Sequence, residues 1–119
     1  MLLRTPAGLA IEERLFDDGE ALYAPHLIDL EIAQVLRRYA TSGAVDGERC
    51  RMALVDWADV PLQRFGHDFL LPRVWELRDN MTAYDAVYVA LAEVLDAPLL
   101  TRDQRLASAL RHHARIELV

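Results

Sequence analysis

The 119-residue chain is 53% apolar and 27% charged, with 19 acidic against 13 basic residues and a net charge of −6. That length suits one domain, residues 1–119, and that apolar share suits a packed core rather than disorder. The acidic balance argues against a binder held on nucleic acid by a Lys/Arg patch, though not against a nucleic-acid enzyme whose phosphate contacts run through a metal.

Elements follow in chain order. Thr5-Pro6 opens a first helix with a capping hydroxyl and a proline in the first turn. Leu9, Ile11, Leu15 and Phe16 give it an apolar side, and Asp17-Asp18-Gly19 ends it. Leu22-Tyr23-Ala24 is a short extended run stopped by Pro25. Amphipathic helices are expected over 27–40, which Ser42-Gly43 stops, and from Asp46 to about residue 58. Val60-Pro61-Leu62 reads as a short strand or loop, and 68–80 carries a helical pattern with Pro72 near its start. Residues 84–95 form an almost wholly apolar helix, the mark of an element buried on most sides. Pro98-Leu99-Leu100-Thr101 is a short strand leading into a helix over 103–113, and 116–119 is a last strand. Short apolar strands between helices predict a small parallel sheet in an α/β sandwich.

No stretch approaches the ~18 apolar residues of a membrane span. Met1-Leu2-Leu3 runs at once into Arg4-Thr5-Pro6, so no signal peptide is expected. Cys50 is the single cysteine, which excludes an intramolecular disulfide and points to a reducing, cytoplasmic setting. Cys50 reads as a small buried residue, Trp57 and Trp75 as core or dimer contacts, and His26, His67, His112 and His113 as scattered surface residues. All 13 basic residues are Arg, a bias that a GC-rich genome explains as well as phosphate recognition does.

Three carboxylates stand out. On the helix from Leu27, the residues Leu27, Ile28, Ile32, Val35, Leu36 and Tyr39 fill an arc about 180° wide at roughly 100° per residue, and Glu31 projects inside it. A core-side carboxylate needs compensation, from an Arg such as Arg38, from water or from something else. Asp85 lies in the first turn of the apolar helix, where Thr82-Ala83-Tyr84-Asp85 also fits a capping box. Asp103 follows the strand Leu99-Leu100 and also suits a helix N-cap. Taken singly, Asp85 and Asp103 have structural explanations. Together, the three acids can converge at one end of a parallel sheet, where their repulsion calls for a hard divalent cation such as Mg2+ or Mn2+. Such a centre suits phosphodiester hydrolysis by an activated water, with Thr101 orienting water or a phosphate oxygen.

Three segments carry a resemblance. They are Ala24-Pro25-His26-Leu27-Ile28-Asp29-Leu30-Glu31-Ile32, then Thr82-Ala83-Tyr84-Asp85-Ala86-Val87-Tyr88-Val89-Ala90-Leu91-Ala92, then Ala97-Pro98-Leu99-Leu100-Thr101-Arg102-Asp103-Gln104-Arg105-Leu106. In order and spacing they resemble the PIN domain, and within it the VapC toxin ribonucleases of VapBC toxin–antitoxin pairs. The resemblance implies a three-layer α/β/α sandwich, an RNA substrate, a homodimer, and a VapB-type antitoxin that fills the active-site groove. It implies Glu31, Asp85 and Asp103 as acids coordinating Mg2+ or Mn2+, with Thr101 supporting them. Arg38, Arg102 and Arg105 lie nearest these acids in sequence and are nominated for RNA contact. The family pattern opens with a strand ending in Asp, whereas this chain starts at the helix that follows. The expectation is therefore an N-terminally truncated PIN-like domain without the first strand and its acid; Glu12 and Glu13 sit inside the first helix and do not replace it. The competing expectation is a catalytically impaired domain that serves as an antitoxin-binding or dimerisation module.

Overall fold

The structure, a computed structural model, describes residues 2–3, 21–101, 103–109 and 111–118. Strands β1 (Leu2–Leu3), β2 (Leu22–Pro25), β3 (Leu62–Phe65), β4 (Leu99–Thr101) and β5 (Ile116–Leu118) form one sheet in the order β3-β2-β1-β4-β5. Every neighbouring pair is parallel. Helices α1 (Leu27–Ser42) and α2 (Gly47–Ala58) connect β2 to β3. A 3-10 turn (Asp68–Leu70), α3 (Leu71–Glu76) and α4 (Ala83–Leu95) lead from β3 to β4, and α5 (Gln104–Ala107) precedes β5. Parallel strands require such crossovers, and the expected α/β class with a small parallel sheet is what the chain forms. The anticipated helix at Thr5-Pro6 lies outside the described residues.

The expectation that the first strand is absent needs correction. Leu2 pairs with Tyr23 on one side and Leu99 on the other, and Leu3 pairs with Leu100, so these two residues stand at the centre of the sheet. Arg4, not an acid, follows them in the sequence.

The core gathers on α4. Ala86, Val87, Tyr88, Val89, Ala90, Leu91 and Ala92 are all buried, which is why that stretch carries almost no polar side chain. They pack with Leu99 and Leu100 of β4, with Leu22 and Ala24 of β2, and with Ile28 and Ile32 of α1. Thr82 caps α4, its Oγ1 accepting the Asp85 N–H at 3.2 Å. Gly43 stops α1 as expected, at φ 78°, a left-handed conformation open to glycine, with the helix running on to Ser42. The edge strand β3 is pinned by Asp29 of α1. That carboxylate accepts from Arg64 Nε at 2.9 Å and from Trp57 Nε1 at 2.7 Å, while the Arg64 guanidinium lies over the Trp57 ring.

Two helices are shorter than the sequence pattern predicts. The 68–80 stretch divides into the 3-10 turn and α3, with Pro72 in the first turn of α3. The helix expected to reach His113 stops at Ala107. Contacts with two other helices account for the difference. Arg73 of α3 donates to the Arg111 carbonyl at 3.1 Å, and Glu93 of α4 accepts the His113 N–H at 2.9 Å. Those bonds hold the chain in an irregular path, with Arg111 at φ 69°. His112 is accordingly half-buried off any helix, and its Nδ1 accepts the Ala114 N–H at 3.1 Å. Cys50 is buried as expected. Trp75 is not a core residue: it is 67% exposed, with Arg78 stacked over its ring.

Candidate active site

The candidate site begins where β4 ends. Thr101 is 1% exposed, yet its hydroxyl is satisfied locally: Oγ1 accepts the Asp103 N–H at 3.0 Å. The turn that results places Asp103 as N-cap of α5, with Oδ1 accepting the N–H groups of Arg105 at 2.9 Å and Leu106 at 3.4 Å. The Arg105 guanidinium stands 3.9 Å from the same oxygen and is otherwise open to solvent. Asp85 enters from the first turn of α4. The two carboxylates line one pocket of about 200 Å3, together with Asn80, Met81, Thr82, Arg105 and Leu106. Each Asp is thus both a helix-terminal residue and a pocket residue.

Glu31 lines a cavity of about 570 Å3 with Leu27, Leu30, Gln34, Arg37, Arg38 and Tyr84. Its carboxylate accepts a hydrogen bond from the hydroxyl of Tyr88, which is fully buried on α4 one helical turn beyond Asp85. The compensation foreseen for a core-side acid on α1 is therefore supplied in part by a phenol. Arg38 shares the Glu31 cavity, Arg105 shares the Asp85–Asp103 pocket, and Arg102 is outside the described residues.

As a donor set, three carboxylates and a threonine hydroxyl offer only hard oxygen ligands, the kind Mg2+ and Mn2+ take. Among the described residues no group of three His, Cys, Asp or Glu is placed to hold a metal ion. Asp85 and Asp103, which share one pocket, are the residues that would hold such an ion.

Tyr88 is the functional candidate that sequence reasoning passed over. The signal was present: a single phenol in the apolar run Ala86–Ala92 has a hydroxyl that needs an acceptor in the core. Asp29, with its bonds from Arg64 and Trp57, was also missed. It lies two residues before Glu31 in the amphipathic pattern and looks like ordinary solvated surface.

The chain is thus a parallel α/β protein with paired acids beyond the carboxyl end of a strand, where such sheets present their ligand sites. No family profile matches the chain. Curated relatives do. Ribonuclease VapC9 of Mycobacterium tuberculosis is 42% identical over 116 residues, covering 88% of this chain and 89% of that protein. Ribonuclease VapC12 of the same organism is 36% identical over 119 residues, all of this chain and 91% of the relative. Ribonuclease VapC1, also from that organism, is 45% identical over 97 residues, or 81% and 73% of the two chains. The chain belongs to the VapC ribonuclease family.

Proposed function

We propose that this protein is a toxin-type endoribonuclease that hydrolyses RNA phosphodiester bonds and is neutralised by a cognate VapB-type antitoxin. The observation that carries the reading is the meeting of Asp85 and Asp103 in one pocket at the carboxyl end of β4, in a chain whose relatives are named ribonucleases. The binding-module alternative gains no support from those relatives.

In this reading, Asp85 and Asp103 would hold the divalent ion, which would screen the phosphate charge and supply an activated water, and Thr101 holds the turn that presents Asp103. Water adds to phosphorus in line, the bond to the leaving oxygen breaks, and the proton lost by the water ends on that leaving oxygen. Glu31 is the third acid of this set, with Arg38 beside it in its cavity. The positive charge of Arg105, close to Asp103, favours a phosphate at the pocket mouth. The reading includes dependence on Mg2+ or Mn2+, supported by the all-oxygen donor set and the resemblance. It also includes a three-layer PIN-like sandwich, a homodimer and a cytoplasmic location. Among the described residues, no helix is long and apolar enough to cross a membrane.

The deciding experiment is RNA cleavage by the purified chain and its Asp85→Asn variant in Mg2+ and in Mn2+. The expected result is cleavage by the unsubstituted chain and its loss in the variant, with unchanged far-ultraviolet circular dichroism. Equal cleavage by both would remove Asp85 from the reaction.

A further inference from the structure

Tyr88 has no exposed surface and lies in an otherwise apolar stretch of α4. Moving a phenolic hydroxyl from water to such surroundings is unfavourable unless it finds a partner. Its partner is a carboxylate on another helix, Glu31 of α1, 57 residues earlier in the chain. Glu31 is itself only half-buried and lines the open cavity that holds Arg37, Arg38 and Tyr84. The carboxylate therefore spans a boundary: it takes a bond from the core and also borders space that a ligand can enter. A glutamate reaching that boundary has three side-chain torsions to fix, and a charge-assisted bond from a rigid buried ring fixes them. Tyr88 also lies on the helix that carries Asp85, three residues further on, so the same element places both acids.

We propose that Tyr88 is a positioning residue: its hydroxyl sets the orientation of the Glu31 carboxylate at the edge of the α1 cavity, where that acid serves RNA cleavage. The proposal rests on the ribonuclease reading. It assigns Tyr88 no contact with the reacting atoms; its effect passes through Glu31.

The test is a double-mutant cycle on the full chain with Tyr88→Phe, Glu31→Gln and the pair, plus Glu31→Asp, which shortens the acid and leaves the ring intact. Cleavage of a single-stranded RNA reporter in Mg2+ buffer gives kcat and KM, and urea unfolding without RNA gives stability. The expected result is a kcat lower by about 10- to 100-fold in Tyr88→Phe, with KM little changed. Glu31→Asp should lose kcat similarly. In the Glu31→Gln background, Tyr88→Phe should lower kcat no further. Equal kcat for Tyr88→Phe and the unsubstituted chain overturns the assignment, and so does an equal loss in both backgrounds, which would mark a general packing defect. If Tyr88→Phe does not fold, Glu31→Asp decides: kcat equal to that of the unsubstituted chain overturns the assignment. Absence of cleavage by the unsubstituted chain overturns the ribonuclease reading instead. The unfolding cycle then still decides whether hydroxyl and carboxylate are coupled, and zero coupling overturns the assignment.

Discussion

Asp103 shows how one side chain serves two ends. Its Oδ1 takes the N–H groups of Arg105 and Leu106, and the residue also lines the pocket with Asp85. Substitution separates the roles. Asp103→Ala should lose about 1 kcal/mol of stability with the cap, together with RNA cleavage. Asp103→Asn retains a side-chain acceptor for the cap, so it should keep most of the stability and lose cleavage alone. Urea denaturation beside the RNA assay checks both; a destabilised Asn variant would show that the carboxylate charge itself matters to the fold. At this scale the sequence was informative for groups whose partners are close in the chain. Thr82 with Asp85, and Asp103 with the amides of Arg105 and Leu106, are legible because their bonds span two or three residues. Tyr88 with Glu31, and Asp29 with Arg64, were not, since each pair is joined only by tertiary packing.

The elements differ in how far their own pattern settles them. Helix α4 was legible because nothing contradicts its apolar run, and its burial follows. The strand β4 is equally plain: Leu99, Leu100 and Thr101 are all buried. Leu99→Ala should therefore cost about 2–5 kcal/mol, the range for emptying a packed aliphatic site, whereas Leu30→Ala, on a residue 71% exposed, should change stability by less than about 0.5 kcal/mol. Chemical denaturation midpoints measure the contrast, and similar values for the two would refute the assignment of β4 to the core. The segment after α5 was misread as helix because its local composition permits one. Arg73 and Glu93, distant in sequence, take its backbone groups instead. No window confined to residues 103–113 contains that information.

Glu93 connects much of the molecule. It accepts from Arg73 Nε at 2.9 Å and Nη2 at 3.0 Å, and from the His113 amide, so α3, α4 and the approach to β5 meet on one carboxylate. Burial pushes the Glu93 carboxyl up, but the bonds and charge from Arg73 and the His113 amide outweigh it and hold the group below its ordinary value of 4.5. The folded protein thus binds this proton more weakly than the unfolded chain. Its contribution to stability is full above about pH 4.5 and fades as pH falls through the lower folded value. Glu93→Gln should be less stable than the parent at neutral pH, and the gap should narrow on acidification below that point. Unfolding curves across pH 3 to 7 test this range, roughly centred on ordinary carboxylate titration; a gap that stays constant or widens in acid would reject the assignment.

The parallel ladder also constrains the order in which the molecule can form. A strand pair joined by a tight turn can zip up locally, but here each partner waits for an intervening helix or a larger part of the chain. The central position is the extreme case, because Leu2 must find both Tyr23 and Leu99. During synthesis, the middle of the sheet stays open until the segment containing Leu99 and Leu100 has left the ribosome. The pocket shared by Asp85 and Asp103 therefore assembles later than the pairing of β2 with β3, because Asp103 follows closely on β4.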